Sequence, residues 1–417
     1  MAFVRGMDEQ GGASKPRANL ASPKPGCGKS ARFCLGGGQT NCANRPEMLP
    51  LLCCPNCRDA NLVEDGDAAI CSRCDRRFPV TLGIIDFRDS AVDSTAEVPV
   101  GDDRILANLL TAIFPHVSTF NALWQIYEDI RDESAPGARP SFADVKAKLA
   151  DYPQTPLTEA QKVHGHAILR KAAQYLADVG RQMPKSGIVL ENGSSVGLFV
   201  DGLAHAFDHL IVLDFCLCFV ILAKKLAEEQ GITNLTLICA SAERLPIRSD
   251  CVDFIHSNNV VEHVTNKDEM FKEAHRVLDR NGVLFVVSPN HFSAYIEPHY
   301  RLPAYGFIPR SIRKVYFAGK RNIDDVTLVS LPKLRKLLTS HFKNNVSISF
   351  IPRRLDETVT GGALRGAIVK WLNSKWFGGI FNFTINRALL PIMPYHVALC
   401  FKADAPGRSR IDRPQRK

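Results

Sequence analysis

Residues 187–204 read GIVLENGSSVGLFVDGLA. An apolar run ends on an acid, Glu191, and Gly193, Ser195 and Gly197 follow at intervals of two before apolar residues resume. Strand, tight turn and helix in that order bring a backbone close to a nucleotide-like ligand. In a dinucleotide-binding loop the glycines begin directly after the strand, and the ribose-binding acid lies at the end of the second strand. Here an acid also precedes the glycines, which fits a nicotinamide oxidoreductase poorly.

Downstream, the apolar runs LIVLD, LTLIC, VDFIHS and VLFVVS alternate with helical stretches. Such alternation predicts an α/β, doubly wound, Rossmann-like sheet with helices on both faces. In NKDEMFKEAHRVLDRNG, Asn266 is the expected N-cap, with Glu269 three residues on and Gly282 as terminator. A helix over SLPKLRKLLTSHF, then NNVSISFI and HVALCFKA, completes a mostly parallel sheet with an antiparallel last strand.

The stretch from about 187 to 290 resembles class I S-adenosylmethionine-dependent methyltransferases, of the type found among ubiquinone-pathway C-methyltransferases. Their Asp/Glu-x-Gly-x-Gly-x-Gly loop corresponds to Glu191, Gly193, Ser195 and Gly197. The resemblance implies S-adenosyl-L-methionine as cofactor, with Glu191 facing its ammonium group and the loop passing close to its methionine part. It implies further that Asp214 accepts hydrogen bonds from the ribose hydroxyls. ASAERLPIRSDCVDFIHSNNVVEHV is similar to the family's Gly-Asp-Ala-Glu-x-Leu-Pro-Phe segment and following strand, so that Ser241 and Ala242 flank the adenine and Asn258 lines the pocket. Two positions depart from the pattern. Ser195 stands for the middle glycine, which costs on the order of 1 kcal/mol or more if its φ is positive. Ser241 stands for an aspartate, removing a charge-assisted hydrogen bond of about 1.5–3 kcal/mol. Weakened affinity is the expected consequence.

Cys54-Pro-Asn-Cys57 and Cys71-Ser-Arg-Cys74 form two knuckles separated by a hairpin-length stretch. Four thiolates so spaced suit one tetrahedral Zn2+ with no open position, a structural rather than catalytic metal. Cys53 adjoins the first knuckle as a spare thiol. The segment resembles the small zinc-ribbon proteins that activate tRNA and protein methyltransferases: Phe78, Pro79, Val80, Gly83 and Ile84 match, while Ile85 replaces a proline. That resemblance implies a methyltransferase nearby.

The chain accordingly divides into a disordered tail (1–46), the zinc ribbon (47–90), a helical connector or cap (91–184), the methyltransferase domain (185–404) with an insertion at 353–394, and a basic tail (405–417). PGCGKS within the first tail lacks the strand of a phosphate loop and has Pro23 where the leading glycine belongs. In the connector, Leu106, Leu110, Ile113, Val117, Phe120, Trp124 and Tyr127 recur at helical spacing, with a break expected at Pro115. Much of the net charge of +9 sits near the two ends, which speaks against specific nucleic-acid binding. No apolar run reaches the roughly 20 residues of a spanning helix, and no signal-peptide core precedes the cysteines. A cytoplasmic protein with reduced thiols is expected. The insertion's Trp371, Trp376, Phe377, Phe381 and Phe383 leave room for a peripheral membrane contact. After the fifth strand, SPNHFSAYIEPHYRLPAYGFIPRSIRKVYF mixes polar and aromatic residues, a composition suited to a small or lipid-linked acceptor. His263 and His299 are the candidate catalytic bases. The alternative from another class is a non-catalytic methyltransferase-like scaffold whose zinc ribbon docks a partner.

Overall fold

The structure, a computed structural model, describes residues 51–89, 93, 100–132, 141–152, 154–157, 159–293, 304–317, 326–350 and 390–402. The two tails and most of the insertion lie outside the described residues.

The strands, in chain order, are β1 (Leu62–Asp65), β2 (Ala68–Cys71), β3 (Arg77–Thr81), β4 (Ile84–Asp86), β5 (Ile188–Asn192), β6 (His209–Asp214), β7 (Leu235–Cys239), β8 (Val252–Asn258), β9 (Leu278–Pro289), β10 (Val346–Phe350) and β11 (Tyr395–Phe401). The helices are α1 (Val100–Ile113), α2 (Phe120–Asp132), α3 (Phe142–Ala147), α4 (Glu159–Asp178), α5 (Val200–Ala206), α6 (Leu217–Glu229), α7 (Lys267–Val277), α8 (Arg310–Phe317) and α9 (Leu331–Phe342).

β4, β7, β6, β5, β8 and β9 lie side by side and parallel, and β11 runs antiparallel between β9 and β10. From β5 the chain winds one way through α5 to β6 and through α6 to β7; from β8 it winds the other way through α7 to β9. The order therefore reverses between β5 and β8, and the crevice beyond their carboxyl ends is where such sheets bind ligands. The doubly wound expectation holds, antiparallel last strand included.

The sheet separates two apolar layers. On one face Val189, Val212, Phe254 and Phe285 pack with α1, α2, α5 and α6. On the other, Leu190, Leu213, Ile255 and Leu284 pack with α7, α9 and apolar residues of the cysteine segment, among them Leu52, Phe78 and Ile85. Side-chain alternation along each strand produces this division, because neighbouring residues face opposite layers.

The cysteine segment is continuous with the sheet. β1 to β4 form antiparallel pairs, and Leu82 and Gly83, both at positive φ, turn β3 back into β4. β4 then aligns parallel to β7, Ile85 opposite Ile238 and Asp86 opposite Cys239. The described residues hold together as one unit. Beyond β4, the fully buried guanidinium of Arg88 meets Asp86 at 2.8 Å and Asp103 of α1 at 2.6 Å. Asp103 in turn accepts the Leu217 N–H at 2.8 Å at the start of α6. Burial alone would raise the Asp86 carboxyl, but Arg88 and Arg104 outweigh it and hold the group below its ordinary range.

Two boundaries carry local lessons. The connector breaks at Pro115, where a short 3-10 turn, Phe114–His116, separates α1 from α2. Asn266 caps α7 through the Glu269 N–H as expected, but the helix stops at Val277 and not at Gly282. Gly282 instead lies within β9, where a Cβ would come within 2.9 Å of the Val252 carbonyl oxygen, so close packing rather than termination accounts for this glycine.

Candidate functional site

The loop after β5 is shaped by contacts that only small residues allow. Gly193 has φ +81°, and a Cβ there would lie 2.2 Å from Val260. The Gly193 and Ser194 N–H groups donate to the Leu213 carbonyl at 2.8 and 2.9 Å, fastening the loop to the end of β6. Ser195 adopts φ +49°, the costly case for serine. What holds it there is its own N–H, which donates to Asp214 Oδ2 at 2.7 Å. Asp214 Oδ1 accepts the Cys216 N–H at 2.9 Å. Each oxygen of this buried carboxylate retains acceptor capacity. Burial lifts the Asp214 carboxyl to about 6, against the pull of the Cys216 and Ser195 N–H groups; Asp103 adds to the rise and His263 opposes it.

Glu191 is fully buried at the end of β5, on the same side of the sheet as Phe199 and Phe285. Its Oε2 lies 2.6 Å from Nδ1 of His256, its register partner on β8. The His256 ring stacks on Phe285 at 5.7 Å and meets the edge of Phe199 at 4.9 Å. Burial pushes the Glu191 carboxyl upward, and His256 pulls it down. Glu191 Oε1, Asn192 Oδ1, His256 Nε2, Ser257 Oγ and Asn259 Oδ1 are buried with no hydrogen-bond partner. Native interiors rarely leave so many buried polar atoms without partners at the ends of two adjacent strands. Asn259, at φ +57°, turns the chain out of β8.

The structure thus brings Glu191, Gly193, Ser195, Gly197, Asp214 and Asn258 to the carboxyl ends of β5, β6 and β8. Ser241 and Ala242 follow β7 at the same end of the sheet. The Ser241 hydroxyl accepts the Glu243 N–H at 3.2 Å within its own turn. His263 is partly exposed beyond β8, with Nε2 3.9 Å from Glu262. His299 lies outside the described residues. Two residues went unassigned in the sequence reading: His256, whose only signal is a polar residue within an apolar strand, and Asn259.

The four knuckle cysteines converge as their spacing implied. Their sulfurs all lie within 4.8 Å of one another, with Cys54 to Cys74 at 3.7 Å and Cys57 to Cys71 at 3.4 Å. Tetrahedral Zn–S bonds of ~2.3 Å require sulfurs about 3.8 Å apart, so the cluster fits the ion. Arg58, in the first knuckle, donates to the Leu245 carbonyl at 2.9 Å and pairs with Glu273 of α7 at 3.0 Å, locking the ribbon onto the sheet's second face.

Residues 190–286 match the family model described as a methyltransferase domain. Over 91 residues the chain is 29% identical to the mitochondrial 2-methoxy-6-polyprenyl-1,4-benzoquinol methylase of Leishmania donovani, covering 22% of this chain and 32% of that one. The chain thus matches about a third of the length of that curated relative. Similar solved structures include phosphoethanolamine N-methyltransferase 2 of Haemonchus contortus with S-adenosyl-L-methionine (TM-score 0.38, 12% identity, 56% of this chain and 53% of that one). The geranyl diphosphate C-methyltransferase of Streptomyces coelicolor is another (TM-score 0.36, 15% identity, 57% and 80%). Residues 190–286, which match the methyltransferase-domain model, include most of β5 and β9 and all of β6 to β8 of the doubly wound sheet.

Proposed function

We propose that the protein transfers a methyl group from S-adenosyl-L-methionine to a small or lipid-linked acceptor. The observation that carries this reading is the placement, at the carboxyl ends of the adjacent strands β5 and β6, of a buried carboxylate with an unmet oxygen, Glu191, and a second carboxylate, Asp214, bound by the glycine loop's own N–H. The cofactor supplies a methyl group on a cationic sulfur. Glu191, held by His256, orients the ammonium end, and Asp214 takes the ribose hydroxyls; Ser241 and Ala242 flank the adenine and Asn258 lines the pocket. Enclosure by Phe199 and Val260 excludes water from the methionine end. Transfer depends mainly on placing the acceptor in line with the methyl group. Where the acceptor must lose a proton, His263 or His299 receives it. The relative named as a polyprenyl benzoquinol methylase supports an acceptor with a lipid tail. The cysteine cluster holds a structural zinc, and the enzyme works in the cytoplasm.

Strain at Ser195 favours the alternative of a non-catalytic scaffold, and one titration separates the two. Calorimetry with S-adenosylmethionine and its demethylated product should show binding of both to wild type. Asp214→Ala should weaken binding about tenfold to a hundredfold, the cost of hydrogen bonds to a charged group. Asp250→Asn, which removes the charge that pairs with Lys402 and tolerates the positive φ at this position, should not change it. Folded protein that binds neither compound is a scaffold.

A further inference from the structure

A second group of metal-ligating side chains lies between α1 and α6. Cys216 caps α6 and Cys218 belongs to its first turn, and both thiols meet Asp103 of α1. Cys216 Sγ donates to Asp103 Oδ1 at 2.9 Å, and Cys218 Sγ lies 3.5 Å from the Asp103 main-chain oxygen. The ligand atoms of the three side chains all lie within 4.8 Å of one another, and all three residues are buried. The second carboxylate oxygen, Oδ2, is held from the other side by the Arg88 guanidinium at 2.6 Å and the Leu217 N–H at 2.8 Å. Oδ1 is left facing the thiols, with the Cys218 N–H at 3.4 Å as its further contact. Outer hydrogen bonds orient the ligands of metal sites in this way. The hydrogen bond with Cys216 and burial push the Cys218 thiol well up, which makes it a poor nucleophile and leaves ligation as the chemistry open to it.

We propose that Asp103, Cys216 and Cys218 form a second zinc site, weaker than that of the four knuckle cysteines, which ties α1 to the first turn of α6. Two thiolates and one carboxylate suit a borderline-soft divalent cation, whereas Ca2+ and Mg2+ require oxygen ligands throughout. Zn–S bonds of ~2.3 Å and Zn–O bonds of ~2.0 Å set a sulfur and an oxygen about 3.5 Å apart in a tetrahedral site. From its present 2.9 Å the Cys216 sulfur therefore has only to draw back slightly from Oδ1. The charges balance, because one Zn2+ enters as the two thiol protons leave to solvent, and Arg88 continues to offset Asp103. The backbone N–H groups at the start of α6 favour the thiolates so formed. Three protein ligands against the ribbon's four make this the weaker site, so protein purified without added zinc carries the ribbon ion alone. Nothing in the site depends on the methyl-transfer reading.

Metal titration of the full chain tests the site without any assay of activity. Protein already holding one zinc, titrated with Zn2+ against a chromophoric chelator, should take up a second equivalent. Cys216→Ser and Cys218→Ser should each weaken that second equivalent at least about tenfold and leave the first in place, since even outer-shell losses cost that much. Co2+, which binds such ligands less tightly than Zn2+ and so leaves the ribbon ion undisturbed, can be supplied as the second equivalent to wild type. It should then show sulfur-to-metal charge-transfer absorption, a reading that decides the matter even where a variant fails to fold. The proposal is overturned if folded wild type holds a single equivalent under added zinc, or if the second Co2+ shows no sulfur ligation. It is equally overturned if the second equivalent survives in a folded Cys216→Ser/Cys218→Ser double variant. The ion would then lie elsewhere, as on His166, Asp201 and His205, whose side chains also meet.

Discussion

At Asp214 a single carboxylate links backbone strain to ligand binding. Burial raises its carboxyl to about 6 from an ordinary value of 3.8. A raised folded value means that the group's stabilising contribution is fully present below about 4 and is lost as pH rises through about 6. Cofactor binding has the opposite sign, because ribose hydroxyls donate best to the ionised form. Between pH 7 and pH 5 the dissociation constant for S-adenosylmethionine should rise about tenfold in wild type. Asp214→Asn should bind weakly with no such step; a step of the same size in this variant would assign the titration to another group. Ser195 offers a second test. Its left-handed φ of +49° costs a non-glycine residue on the order of 1 kcal/mol, so Ser195→Gly should raise the free energy of unfolding measured in urea by up to about that much, and with it the midpoint, without weakening cofactor binding. A lower midpoint would mean that the serine side chain contributes more than its strain costs.

At the scale of elements, β5 and β8 meet through Glu191 and His256, and this pairing explains why so polar a pair is buried. His256→Leu leaves Glu191 without a donor in an apolar layer, where the carboxyl takes up a proton and no longer attracts an ammonium group. Affinity for S-adenosylmethionine should fall about tenfold or more. His256→Asn places an amide N–H where Nδ1 stands and should restore affinity to within about threefold. Equal losses in both variants would reduce His256 to a packing role, since a structural defect is indifferent to that donor. The sequence made the strands legible because VDFIHS and VLFVVS are apolar enough to be buried on both faces. It also made Glu191 and Asp214 legible, because each closes such a run. The His256 partnership was not legible, since it depends on which residue of β8 stands opposite Glu191. β4 was hidden for a different reason: Ile84-Ile85-Asp86 is too short for any period to show, and only pairing with β7 makes it a strand of the main sheet. Gly282 misled because a glycine after a helical pattern serves equally as a cap or as a point of close packing within a strand.

At the scale of the whole molecule, the cysteine segment is an extension of the doubly wound sheet through β4 and β7, and this determines how metal loss should be felt. Zinc analysis of purified protein should give about one equivalent per chain, lost on substitution of Cys57 or Cys71 by serine. From the knuckles the structure runs without interruption through β2, β3 and β4 to β7. From Asp86, Arg88 carries it on to Asp103, which accepts the Leu217 N–H at the start of α6, three residues beyond Asp214. Releasing the knuckles frays β4 and loosens a buried ion network, for which loss of one partner typically costs about 3–5 kcal/mol. Chelation should therefore lower the melting temperature in a single transition and weaken S-adenosylmethionine binding. Two transitions, with only the lower one sensitive to chelator and cofactor affinity unchanged, would show the ribbon to be an independent module. Zinc-free protein that melts at the wild-type temperature would remove the metal from the fold's stability altogether.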